Sequence, residues 1–121
     1  MAIKVEIPVR IESSLNLREH FRKKANRNSS HRASAWFALK GAKVRPALPC
    51  TVTLTRIAPR QLDDDNLAGG FKSVRDGIAD WLGVDDRDPR VKWRYEQERG
   101  KPRQYTAMAT IETEEVTTWT A

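Results

Sequence analysis

The sequence predicts an α+β fold: a four-stranded mixed sheet with helices packed on one face, built in the order β-α-β-α-β-β. Three observations predict it. Apolar and polar residues alternate at the N-terminus and again over the last third of the chain. Residues 64–82 carry an apolar repeat close to 3.6. The 121 residues form one domain (1–121), with a loosely held tail after about residue 112, and show no internal repeat or linker.

Each element follows from local pattern. Ile3, Val5, Ile7, Val9 and Ile11 alternate with Lys4, Glu6, Pro8 and Arg10, the period of a half-buried strand. Pro8 lacks an amide proton and marks an edge position. Asn16 with Glu19 three residues on has the form of a helix start. Leu17, Phe21, Ala25, Ala35, Trp36 and Leu39 then share one helical sector, interrupted by Asn28, Ser29 and Arg32. The expectation is one long helix, or two broken near residues 28–30, stopped by Gly41. Residues 51–57 are β-branched and Thr-rich, a second strand. Leu67, Phe71, Val74, Ile78 and Leu82 form the apolar stripe of a helix running from about Asp64 to Leu82, closed by Gly83. Val91, Trp93 and Tyr95, then Tyr105, Ala107, Ala109 and Ile111, alternate with polar residues around Arg99-Gly100-Lys101-Pro102, which reads as a β-hairpin.

Composition narrows the partners. Lys and Arg number 22 against 16 Asp and Glu, a net charge of +6. Such a balance favours polyanions, nucleic acid first. Arg18, Arg22, Lys23, Lys24, Arg27 and Arg32 cluster within residues 18–32, and Arg56, Arg60, Lys92 and Arg94 add to the set expected to hold DNA. Cys50 is the only cysteine, which excludes an internal disulfide and a Cys-based zinc site and suits a reducing, cytoplasmic location. The alternating N-terminus is not a signal peptide, and no apolar run approaches membrane-spanning length, so no membrane partner is expected.

Two acidic clusters flank the second helix: Asp63, Asp64 and Asp65 before it, and Asp85, Asp86 and Asp88 after it. One Asp suffices as an N-cap, whereas three adjacent carboxylates repel one another and suggest a bound cation. Mg²⁺ is usually held by one or two carboxylates together with water and phosphate. At about 100° per residue, Lys72 lies within about 40° of Asp65 and leans back toward the cluster. The acids lie at opposite ends of a helix about 25 Å long. They meet only if the chain after Gly83 turns back, or if a second subunit supplies one of them. An EF-hand is excluded by Leu67 and Val74 at ligand positions. Gly69-Gly70-Phe71-Lys72-Ser73 lacks the glycine spacing of a phosphate loop. His20 and His31 stand near no ligand or nucleophile pattern.

Leu62-Asp63-Asp64-Asp65-Asn66-Leu67, an amphipathic helix, then Asp85-Asp86 before a basic strand resembles the RusA family of Holliday-junction resolvases. The most specific part of the resemblance covers about a quarter of the chain. It implies a RusA-like fold and a dimeric, Mg²⁺-dependent endonuclease (Mn²⁺ as an alternative) that resolves four-way or branched DNA by paired symmetric nicks in recombination and repair. Many members come from phages or prophages. By the resemblance, Asp63, Asp65 and Asp86 hold the metal. The family's catalytic lysine falls at Gly69 here, and Lys72, one turn on, is the candidate replacement. Two other readings stand beside it. One is a non-catalytic DNA-binding module whose acidic run only caps a helix. The other is an interaction domain using Trp36, Trp81, Trp93 or Trp119.

Overall fold

The computed structural model describes residues 2–12, 21–42 and 45–113. The elements follow the expected order: β1 (Ala2–Ile7), α1 (Phe21–Lys40), β2 (Cys50–Ala58), α2 (Asp64–Gly70), α3 (Lys72–Leu82), β3 (Val91–Arg99) and β4 (Thr106–Thr113). The four strands form one mixed sheet in the order β1-β4-β2-β3. β2 and β3 are parallel, while β4 is antiparallel to both β1 and β2. The Asn16–Glu19 helix start, Arg18 and Trp119 lie outside the described residues, as does the tail beyond Thr113.

One sheet face carries the core. Val52, Leu54, Ala107, Ala109, Ile111 and Ile7 are fully buried on it, against Phe71, Val74 and Ile78 of the helical layer and Leu39 of α1. Cys50, 1% exposed, packs among them as a small apolar strand residue, and burial raises its thiol pKa. The opposite face bears Lys4, Thr53, Thr55, Arg94, Glu96 and Thr110 and, among the described residues, no helix. No helix among the described residues is long and apolar enough to cross a membrane.

The expected hairpin does not form. β3 and β4 flank β2 instead of pairing with each other. After the α2–α3 crossover β3 runs parallel to β2, and residues 100–105 then carry the chain over the end of β2. Gly100 N–H donates to Ala58 O at 2.9 Å, and a Cβ on Gly100 would stand 3.2 Å from Ile57 Cγ2. Side chains explain the choice. Ala107 and Ala109 are small enough for a central strand under helices, whereas Lys92, Arg94, Glu96 and Glu98 suit an edge.

Three further expectations need correction. β1 ends at Ile7, although Val9 and Ile11 remain buried beyond it. β1 is an edge strand, as Pro8 suggests. The first helix is continuous through residues 28–30, the one-helix form of the expectation, but Ala25, expected in its apolar sector, is exposed. Its polar middle marks the crossing with α3, where contact is made by backbone: a Cβ on Gly77 would lie 2.3 Å from Arg32 O. The second helix is divided at Phe71 (φ −87°, ψ −4°), after Gly69 and Gly70. Glycines lower helix propensity, and Phe71 N–H is shared between Leu67 O and Ala68 O at 3.2 Å each. The apolar stripe survives the break: Leu67, Phe71, Val74 and Ile78 are buried.

Candidate metal and nucleic-acid site

The acidic run follows β2 and is tied down from β3. Gln97 accepts from Leu62 N–H at 2.9 Å and donates to Leu62 O at 2.8 Å. Arg56, buried at the same end of the sheet, donates to Ile11 O and to Arg60 O. Asp63 then caps α2. Its Oδ1 accepts from Asn66 N–H and its Oδ2 from Asn66 Nδ2, both at 2.9 Å. Asp64 and Asp65 lie exposed in the first turn.

The second cluster is drawn back along α3 by Arg75. Its Nη2 donates to Asp86 O at 2.7 Å, its Nη1 to Tyr95 Oη at 3.1 Å, and its Nε lies 3.5 Å from Asp86 Oδ2. Trp93 Nε1 also donates to Asp86 O, at 3.1 Å, and the Arg75 guanidinium sits 4.8 Å from the Trp93 ring centroid. The chain after Gly83 does turn back, as far as the level of Arg75. That level still lies on α3, beyond the break at Phe71, whereas Asp65 lies in the first turn of α2. No group of three or more His, Cys, Asp or Glu among the described residues is placed to hold a metal ion.

Lys72 does not lean on the acidic run. It is exposed, and its Nζ stands 3.8 Å from Asp76 Oδ1, one turn in the other direction. Its surroundings are cationic instead. A groove of about 530 Å³ between α1 and the α2–α3 junction is lined by Lys24, Arg27, His31, Arg32, Gly69 and Lys72, with Glu12 and Asp76 as its acids. Arg22 and Lys23 are exposed on the same helix. Arg32 is engaged within the fold, donating from Nε and Nη2 to Asp80 at 2.7 and 2.9 Å, which keeps the Asp80 carboxyl below its usual range. Arg60 is exposed beside the acidic loop. Lys92 and Arg94 fall on the helix-free side of the sheet, so the expected DNA-binding cations occupy two faces. Asp88 is paired with Arg90, whose hydrogen bonds hold its carboxyl down to about 2.

Burial lowers the pKa of His31, with Arg27 adding to the effect and Glu12 opposing it. A lowered histidine pKa means that the unfolded chain takes up the proton more readily. Stability is therefore full above about pH 6.5 and falls as the pH drops below it. Urea titrations at about pH 7 and about pH 5 check this: His31→Gln is expected to flatten the difference.

Arg75 and Gln97 escape sequence reading, because their roles depend on which strands lie beside them; Arg56, expected among the DNA-holding cations, is instead buried and donates to the carbonyls of Ile11 and Arg60. No known protein-family profile matches the chain. A stretch of 33 residues, 27% of the chain, is 61% identical to an uncharacterised protein of Xylella fastidiosa (strain Temecula1 / ATCC 700964). That stretch spans 20% of the bacterial protein's length.

Proposed function

We infer that the chain is a Mg²⁺-dependent, structure-selective DNA endonuclease of the RusA type, acting on four-way or branched DNA as a homodimer. One observation carries the reading beyond the motif. Asp76, Asp80, Asp86 and Asp88 each face a Lys or Arg. Asp63 and Asp85 each accept a backbone N–H. Among the described residues, Asp64 and Asp65 alone of the aspartates have neither. In a protein of net charge +6, these carboxylates stand uncompensated among the described residues, just after Leu62, whose N–H and C=O are both held by Gln97.

The donor set fits half of a hard-cation site. Asp65 and Asp63 offer carboxylate oxygens, which suits Mg²⁺ or Mn²⁺ with water and phosphate completing the shell. Asp86 is the third ligand that the resemblance implies. When bound, the ion supplies an activated water and charge neutralisation at the scissile phosphate. Lys24, Arg27 and Lys72 line the groove that takes the backbone, with Arg22 and Lys23 beside it, giving salt-dependent affinity without sequence choice.

The test is incubation of a synthetic four-way junction with Mg²⁺, with linear duplex as competitor. Wild type is expected to nick the junction, and Asp65→Asn is expected to leave it intact while still binding it. Equal cleavage by both proteins, or none by wild type, removes the nuclease reading. A second reading, a DNA-binding module without catalysis, is favoured by the cap itself, since Asn66 engages both Asp63 oxygens. That reading requires binding indifferent to Mg²⁺ and no nicks.

A further inference from the structure

We propose that the turn between β3 and β4 is a second phosphate-binding element, separate from the α1 groove, in which Arg103 and Lys101, with Arg60 and Arg99 beside them, take nucleic-acid backbone next to the acidic run. The proposal deepens the DNA part of the reading above and does not depend on cleavage.

The turn has a fixed shape. Lys101 O accepts from Gln104 N–H at 3.0 Å, and Gln104 Oε1 accepts from Lys101 N–H at 2.9 Å. Pro102 and Arg103 are therefore its central pair, and Arg103 has a φ of 65°. Proline locks its own φ near −65°, so a negative φ followed by a positive one makes a type II turn. The third position of such a turn favours glycine or asparagine, because a Cβ there is crowded. Among the described residues, Arg103 is the one non-glycine residue with a positive φ. A disfavoured backbone conformation kept in place by its surroundings points to a function at that residue. What arginine adds over glycine here is a guanidinium at the apex of the turn.

The cations around the apex are unengaged. Arg60, Arg99, Lys101 and Arg103 are exposed, and among the described residues none of their side chains enters a hydrogen bond or an ion pair. Arg32, Arg75 and Arg90, by contrast, each face an aspartate. The turn is also anchored close to the acidic run. Gly100 N–H donates to Ala58 O, with Arg60 two residues further along the chain and Asp63 five. Five extended residues span at most about 18 Å, and one DNA strand carries a phosphate per about 3.4 Å of axis. The turn therefore lies within about five nucleotides of the carboxylates.

Tyr105 links the turn to the groove. The Arg10 guanidinium lies 3.8 Å from the Tyr105 ring centroid and pairs with Glu12, which lines the α1 groove. Residues 10–12 thus run from one cationic element to the other, so one nucleic acid can meet both. The patch offers a protein partner little apolar surface, because Arg10 covers the Tyr105 ring. Charge alone suffices to hold a phosphate backbone.

The test is equilibrium binding of a fluorescein-labelled four-way junction in EDTA, so that binding is read without cleavage, from about 50 to about 200 mM salt. Arg103→Gly relieves the turn and is expected to melt no lower than wild type. It is expected to bind the junction more weakly, with a slope of log K against log salt shallower by about 0.9. Its deficit against wild type then shrinks about threefold between the two salt concentrations. Lys101→Gln/Arg103→Gly is expected to double the slope change. Lys40→Gln, which removes one exposed charge at the C-terminal end of α1, is expected to keep the wild-type slope. Wild-type affinity and slope in Arg103→Gly overturn the proposal, as does a wild type that does not bind. An equal change in Lys40→Gln also overturns it, by making net charge the cause. An affinity loss at unchanged slope overturns the phosphate assignment. A wild type that gives the expected pattern but leaves the junction intact in Mg²⁺ removes the nuclease reading and leaves the turn contact standing. Nicking by wild type with undiminished binding by Arg103→Gly does the reverse.

Discussion

Replacing Gly77 with alanine is expected to cost roughly 2–3 kcal/mol, although alanine is the better helix former. An added Cβ would stand 2.3 Å from Arg32 O and 3.0 Å from Ala35 Cβ. The first of these is a backbone atom in the middle of α1, so no side-chain rotation relieves it. The two helices must separate, which loosens Leu39 and Ile78, both fully buried. Overpacking of this kind typically costs about 1–3 kcal/mol and sometimes more, while helix propensity returns about 1 kcal/mol. The backbone clash puts the gross cost at or above the upper end of that range. Gly69 supplies the control, because a Cβ there meets nothing within 4 Å. Gly69→Ala is expected to be stabilising by up to about 1 kcal/mol. Urea titrations of the three proteins, with unchanged slopes, separate the two effects.

The same crossing shows what was legible in the sequence. Period-two patterns located β1, β3 and β4 and period-3.6 patterns the helical segments, because each buries one face and the pattern records that face, while β-branched composition located β2. Strand partners were harder. A turn holding Gly100 and Pro102 between two alternating segments favours adjacent pairing, yet Ala107 and Ala109 belong under the helices while the charged face of β3 belongs at an edge. Residue size on the inward positions held that information, but spacing did not. Arg32 looked like a flaw in an apolar stripe; it lies at a close backbone crossing and turns its guanidinium out to Asp80.

For the candidate site, the acidic residues were visible and their supports were not. Asp63, Asp65 and Asp86 are identifiable by type and spacing alone. Gln97 is an ordinary polar residue of an alternating strand until β3 lies beside β2, where it meets Leu62. Arg75 reads as one more surface cation until residues 84–90 fold back over it. Lys72 was placed by the helical wheel of an unbroken rod. The break at Phe71 and the presence of Asp76 give it a different partner.

Phe71→Ala is expected to be the most damaging single truncation, at about 3–5 kcal/mol. Phe71 is the largest of the fully buried side chains, and it stands at the junction of α2 and α3. Its ring stacks on Tyr95 with centroids 6.0 Å apart and an interplanar angle of 28°. Truncation leaves a cavity that the junction backbone cannot fill, because Phe71 N–H and C=O are both committed to helix bonds. A domain of this size has on the order of 5–15 kcal/mol in all, so the variant keeps little margin. At about 4 °C per kcal/mol its melting temperature falls by roughly 15 °C. Phe71→Leu, which retains most of the volume, is expected to lose much less. The consequence reaches the acidic residues. Tyr95 accepts from Arg75, and Arg75 holds Asp86. At temperatures where Phe71→Ala is still folded, the Asp86 loop is therefore expected to exchange its amide protons faster than in wild type, while Asn66 N–H, capped by Asp63, remains protected. Hydrogen exchange at the amides of residues 84–88 reads this directly. Unchanged protection there would show that Arg75 holds the loop without support from the Phe71–Tyr95 stack.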